Sequence, residues 1–145
     1  PLSVQKRIQW MGGYSNTNIV LDVFNHIDAI VVPSIWGENS PLVIHEALEA
    51  KVAVITANYG GMKEYIHHEV NGLLFEHRNP DSLAKEMQRF VDNPSFAKSL
   101  AKKGYLQSED GHIPCMQEHV KQMVYLYEEI RSVYGKQNRT LAYHL

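Results

Sequence analysis

One cysteine, Cys115, stands in a chain of 145 residues, so no intrachain disulfide can form and the thiol count fits a reducing compartment. No uninterrupted apolar run approaches the length of a membrane span. Neither sign of charge dominates: 14 Lys and Arg face 16 Asp and Glu, a formal net charge of −2. That balance offers no general attraction to nucleic acid or anionic lipid. The first residues, Pro-Leu-Ser-Val, carry neither an initiator Met nor a charged-then-apolar leader, and a fragment of a longer protein is expected. No internal repeat, low-complexity tract, Ser/His/Asp arrangement or Walker-type glycine loop occurs, which leaves hydrolase and nucleoside-triphosphatase readings without support.

Short apolar runs rich in β-branched residues alternate with longer stretches of helical period, the pattern of βα units on a parallel sheet. Strands are expected at Arg7 to Met11, Ala29 to Val32, Val52 to Thr56 and Gly72 to Phe75. Helices are expected at Asn16 to His26, with Ile19, Val20, Val23 and Phe24 inward, and at Pro41 to Ala50. Asn79-Pro80 and Asn93-Pro94 each offer a capping side chain followed by proline at the first helical position. Met116, Val120, Met123, Tyr127, Ile130 and Tyr134 then form one stripe of a docked terminal helix, with Gly135 expected to end it. The expected organisation is one partial α/β domain over 1–134, Rossmann-like with a helical extension, and a polar tail over 135–145.

Candidate chemistry gathers where the Ala29 to Val32 strand runs through a loop into a helix. Ligands of open α/β sheets bind outside the carboxyl ends of the strands. Ser40 is expected to cap that helix and Pro41 to occupy its first turn, so that free N–H groups and the positive dipole end face the crevice and favour a phosphate. Glu38 precedes the helix, and Glu46 lies five residues past Pro41, roughly 7–8 Å along the axis. A diphosphate at the helix end would have one carboxylate near each substituent, and carboxylates accept paired hydrogen bonds from vicinal hydroxyls of sugars. Gly60 and Gly61 form a second turn that lets backbone approach a ligand. Each feature has a plainer reading: a dipole contact for Glu38, an ordinary turn for the glycine pair. Their order in one chain favours the functional one. His112, Cys115 and His119 suggest a metal on one helical face, but three ligands beside Pro114 make a zinc site the weaker reading, and no metal is expected.

These residues resemble the nucleotide-sugar-binding lobe of retaining, GT-B-fold glycosyltransferases of family 4. The resemblance rests on Asp28, Pro33-Ser34, Trp36, Glu38-Asn39-Ser40-Pro41-Leu42-Val43-Ile44, Glu46-Ala47-Leu48, Gly60-Gly61, Glu64 and Asn71-Gly72-Leu73-Leu74-Phe75, in order between Ile8 and Phe90. The family's two glutamates separated by seven residues fall on Glu38 and Glu46. It implies that Glu38, the catalytic-site candidate, contacts donor-sugar hydroxyls, while Glu46 binds the ribose. Backbone N–H groups at Asn39, Ser40, Leu42 and Val43 would hold the diphosphate, with Gly60 and Gly61 beside them. Gly13 and Tyr14 would lie near the base.

It also implies a hexose-type donor such as a UDP- or GDP-sugar, a glycan or lipid-linked acceptor on an absent N-terminal domain, no cofactor and no catalytic metal. The departing diphosphate would be stabilised by backbone dipoles and cations. Glu49, Lys51 and Ala53 depart from the family's Ala, Gly and Pro. The family's diphosphate-gripping Arg and Lys have no counterpart before Ile8, so the isolated chain is expected to have little transferase activity. A non-catalytic binding module, or part of another GT-B enzyme such as a nucleotide-sugar epimerase, are the alternatives. Cytoplasmic localisation, with peripheral membrane attachment through the absent lobe, and self-association through unpaired strand edges complete the expectations.

Overall fold

A computed structural model of the chain describes residues 7–141, with the side chains of residue 16 and of 135–141 left out. By chain contacts it divides into two units, 1–112 and 113–145. The first holds a three-stranded parallel sheet in the order β1-β2-β3. β1 (Ala29–Val32) pairs with β2 (Ala53–Ala57) in the register Ala29 to Ala53, and β2 pairs with β3 (Leu73–Phe75) in the register Ile55 to Leu73. All five residues of β2 are buried, so both its faces are covered, as its largely apolar sequence requires. The one polar residue among them, Thr56, satisfies its hydroxyl by donating to Val32 O of β1 at 3.0 Å.

The helices of this unit are α1 (Ile19–Asp22), α2 (Leu42–Glu49), α3 (Met62–Tyr65), α4 (Pro80–Asp92) and α5 (Pro94–Lys103). The core is built from Ile44, Ala47 and Leu48 of α2, Met62 of α3, Val54 and Ile55 of β2, Leu73 of β3, and Phe90, Ala97 and Leu100 of α4 and α5. Both Asn-Pro starts form as expected. Asn79 Oδ1 accepts from Ser82 N at 3.0 Å and Asn93 Oδ1 from Phe96 N at 3.1 Å, each satisfying a helix-end donor that has no partner inside the helix. Glu86 is buried because Arg89 pairs with it at 2.8 Å. The same guanidinium also meets Glu69 and lies 5.2 Å from the Phe96 ring centroid.

Four local expectations are corrected. Arg7 to Met11 is not a strand, and Ile8, Trp10 and Met11 are exposed. β1 ends the sheet among the described residues, and this segment does not pair with its free edge. Asn16 to His26 is not one helix but 3-10 turns at Asn16–Asn18 and Phe24–His26 around α1. Val23 breaks it at φ −123° and ψ −65°, so Ile19 and Phe24 are buried while Val20 points outward. Ser40 does not cap α2. Pro41 holds the cap position in an extended conformation (ψ 111°), and no side chain caps that end. In the second unit, α6 (Met116–Leu141) continues through Gly135 instead of ending there. Along its stripe Met116, Val120, Tyr127, Ile130 and Tyr134 are exposed and Met123 is half-buried.

Lys51 takes the left-handed conformation (φ 56°) at the turn from α2 into β2, where the departure from glycine had implied a modest cost. Its Nζ donates to Gly111 O at 3.1 Å, a contact a glycine cannot make.

Candidate functional site

Three turns meet beyond the carboxyl ends of the strands: the β1–α2 loop, the β2–α3 turn and the segment after β3. The first two are locked backbone to backbone. Gly61 N–H donates to Glu38 O at 2.6 Å, and a Cβ on Gly60 would come within 3.0 Å of Glu38 O and Gly37 Cα. Gly60 also has φ +55°, a conformation for which glycine is suited. The glycine pair is therefore used for close approach of one loop to another.

Glu38 is half-buried, and its carboxylate accepts from the Ser34 hydroxyl at 3.0 Å. Glu46, also half-buried, is the fifth residue of α2, seven positions after Asn39, which is exposed. Within α2 the N–H of Ile44 is already paired with Pro41 O at 3.0 Å. Those of Leu42 and Val43, in the first turn, have no acceptor inside the helix and are left to an external partner. Glu38, Asn39, Gly60 and Gly61 are thus brought into direct contact, with the α2 opening following at once in the chain. Gly13 and Tyr14 are not drawn into this cluster by any hydrogen bond among the described residues. Both are exposed, and a Cβ at Gly13 would meet nothing within 4 Å.

Ser40 serves a different purpose from capping. Its Oγ lies 3.1 Å from His45 Nε2 and 3.3 Å from Tyr65 Oη, and the His45 ring sits 4.2 Å from that of Tyr65 and 5.9 Å from that of Tyr105. This polar and aromatic group joins α2 to α3 at the mouth of the site. Nothing in the sequence pattern signalled it, because a histidine inside an apolar helical run carries no periodic mark. Partial burial holds the His45 imidazole below its ordinary pKa, favouring the neutral ring. The unfolded chain therefore takes up the proton first. Stability is complete above His45's ordinary value near pH 6.5 and declines as pH falls toward the depressed one. Urea midpoints should drop between about pH 7.5 and about pH 5.5, and His45→Gln should flatten that part of the profile. An unchanged slope in the variant would remove His45 from the account.

Two hollows lie near the sheet. One of about 500 Å³ runs along β1 between Ala29, Val31, Ile55, Phe90 and Ala97. The other, of about 340 Å³, lies past the ends of β1 and β3 and is lined by Pro33, Ser34, Ile35, Phe75, Arg78 and Leu83, among others. Glu38 and Glu46 line neither, although Ser34 joins the second hollow to Glu38. Among the described residues no three His, Cys, Asp or Glu side chains converge on a metal position. His112 precedes α6 and is bonded to Glu49 at 3.1 Å, and Cys115 is exposed just before the helix starts. Only His119 of the three sits within α6, so they do not share a helical face. Among the described residues no helix is long and apolar enough to cross a membrane.

Residues 2–107 match the model of the family described as glycosyl transferases, group 1. An uncharacterised glycosyltransferase of Methanocaldococcus jannaschii, MJ1607, is 32% identical over 99 residues, covering 68% of this chain and 25% of its own. Among solved structures, the sucrose-phosphate synthase of Thermosynechococcus elongatus superposes with a TM-score of 0.75 at 24% identity, over 90% of this chain and 32% of that one. The Anabaena protein HepE, solved in complex with UDP-glucose, superposes with a TM-score of 0.64 at 22% identity, over 71% of this chain and 28% of its own. The present chain spans about a quarter of the length of the curated relatives it matches. With its parallel sheet and flanking helices in the arrangement of the GT-B C-terminal domain, the chain belongs to the group 1 glycosyl transferases.

Proposed function

We propose that this chain is the donor-binding part of a retaining, family 4 hexosyltransferase that takes a nucleotide diphosphate sugar. The observation that carries the reading is the clamp of Gly61 N–H on Glu38 O, which holds the Glu38 loop against the β2–α3 turn directly before the α2 opening. The diphosphate accepts from the Leu42 and Val43 N–H groups, with those of Asn39 and Ser40 beside them, where the helix dipole favours negative charge. Glu38 accepts from hydroxyls of the sugar and Glu46 from those of the ribose. Gly60 and Gly61 back the diphosphate, while Gly13 and Tyr14 belong to the base side. Charge developing on the leaving diphosphate is met by these fixed donors, without a metal.

The acceptor, a glycan or lipid-linked sugar, binds on a separate N-terminal lobe, so the 145-residue chain alone binds donor without efficient transfer. The single thiol and the usual site of nucleotide-sugar consumption favour the cytoplasm, with any membrane contact made through that lobe. The open β1 edge favours association between copies of the isolated chain. UDP-glucose bound to HepE and the name of a related Escherichia coli galactosyltransferase, which acts with UDP-Gal, support a UDP-sugar as the first donor to try.

Titration of the chain with UDP and GDP, followed by amide NMR, tests the reading. Shifts should concentrate between Glu38 and Glu46 and at Gly60-Gly61, and Glu46→Gln should weaken binding about tenfold by removing a charged acceptor. Unmoved resonances in that stretch at about millimolar ligand would end the proposal.

A further inference from the structure

We infer that Arg78 forms an anion-binding subsite beside the donor sugar, an inference that rests on the nucleotide-sugar reading above. Arg78 has φ +61°, in the left-handed region that a non-glycine residue occupies only when its surroundings impose it. The surroundings here are well tied. Asn79 Nδ2 donates to the Glu76 carboxylate at 2.8 Å, the Ser82 hydroxyl accepts from Glu76 N–H at 2.9 Å, and the His77 ring stacks on Tyr59 at 4.0 Å. His77 Nε2 also lies 3.2 Å from Ile35 O, binding this segment to the β1–α2 loop.

Within that rigid frame the Arg78 side chain has no hydrogen bond or ion pair among the described residues, and it lines the hollow of about 340 Å³ past β1 and β3. The nearest carboxylate in sequence, that of Glu76, is engaged by Asn79. Most other walls are apolar, from Pro33, Ile35, Phe75 and Leu83, while Arg78 itself is exposed, so an anion can reach the guanidinium from solvent. The other polar walls are Asn79 and Ser34, whose hydroxyl holds Glu38. One residue thus borders both the cation and the carboxylate assigned to the sugar. A guanidinium presents a fork of donors that matches two oxygens of one anion. The group that fits is an anionic oxygen pair on the donor, supplied either by a phosphate of the nucleotide or by the carboxylate of a uronic-acid sugar.

Calorimetric titration of the 145-residue chain with UDP, UDP-glucose and UDP-glucuronic acid separates these sources. Arg78→Gln should weaken binding about tenfold, the loss of one bidentate charged contact. Weakening toward all three ligands identifies a phosphate, and weakening confined to UDP-glucuronic acid identifies a sugar carboxylate. Arg78→Gly guards against a folding artefact. It relieves the left-handed backbone, so its thermal midpoint should hold or rise while binding falls as in Arg78→Gln. If the parent binds and both variants bind equally well, the subsite is refuted and the nucleotide-sugar reading stands. If the parent binds none of the three, both fall together.

Discussion

Gly61→Ala should cost about 3 kcal/mol in urea unfolding, the upper range for forcing a methyl group into filled space. Gly61 has φ −66°, which alanine adopts freely, so the expected loss owes nothing to conformational strain. It comes from space alone. A Cβ there would collide with Asn39 O and lie 2.5 Å from Asn39 C and 2.7 Å from Glu38 O. To relieve the clash the Glu38–Asn39 loop must retreat, breaking the Gly61 N–H bond to Glu38 O. Nucleotide binding should fall with stability, because the displaced residues lead directly into the first turn of α2. Gly13→Ala is the natural control: its Cβ would meet open space, and its effect should lie within about 0.5 kcal/mol. A Gly61→Ala chain as stable as the Gly13→Ala chain would show that the two loops do not touch as described.

The second large effect belongs to Asn71, which is fully buried before β3. Its Oδ1 accepts from His67 N–H at 2.8 Å, and its Nδ2 donates to Tyr65 O at 2.9 Å and to Gly104 O at 3.1 Å. One amide thus serves three backbone groups from the end of α3, the following loop and the end of α5. Asn71→Ala removes the partner of all three, at about 1–3 kcal/mol for each group left unsatisfied. Partial relaxation of the loop brings the expected total to about 4 kcal/mol, read from chemical denaturation. Asn71→Asp should fail nearly as badly, since it keeps the bond from His67 but turns a carboxylate toward two carbonyl oxygens. A loss below about 1 kcal/mol for Asn71→Ala would mean the three groups find other partners.

The parts of the fold that could be read ahead were those decided by a few adjacent residues. Asn79-Pro80 and Asn93-Pro94 carry a cap acceptor and a preset φ within two positions, and both helices start there. The Ala-Ile-Val-Val and Ala-Val-Ile-Thr runs, short and rich in β-branched residues, both lie in strands, the second buried throughout and the first half-buried. Where the outcome depended on distant partners, local reading failed. Arg7 to Met11 has strand-like residues but pairs with no strand among the described residues, and Asn16 to His26 has helical spacing that Val23 interrupts. Ser40 has the right chemistry for a cap, yet His45 and Tyr65 compete for its hydroxyl, and Pro41 takes the cap position.

The candidate site divides along the same line. The order of Glu38, Pro41, Glu46 and the glycine pair along the chain was enough to locate the β1–α2 loop and its companion turn. The reason for the glycines was not legible, because Asn39 and Gly61 are 22 positions apart and only the folded backbone reveals how closely they approach. Arg78 was invisible for a related reason: an arginine between His77 and Asn79 looks like any solvated loop residue until its φ and its hollow are known.

Lys51 carries a last consequence. A Cβ added to Gly104 would collide with its Nζ, and one added to Gly111 would come within 3.2 Å of the same atom. Both glycines also have positive φ, at 61° and 73°. Lys51 therefore packs against two glycines more than fifty residues downstream, whose positive φ angles by themselves favour glycine. Glycine at 51 would relax one turn while removing the latch on Gly111 O, two effects of opposite sign on the same corner of the fold.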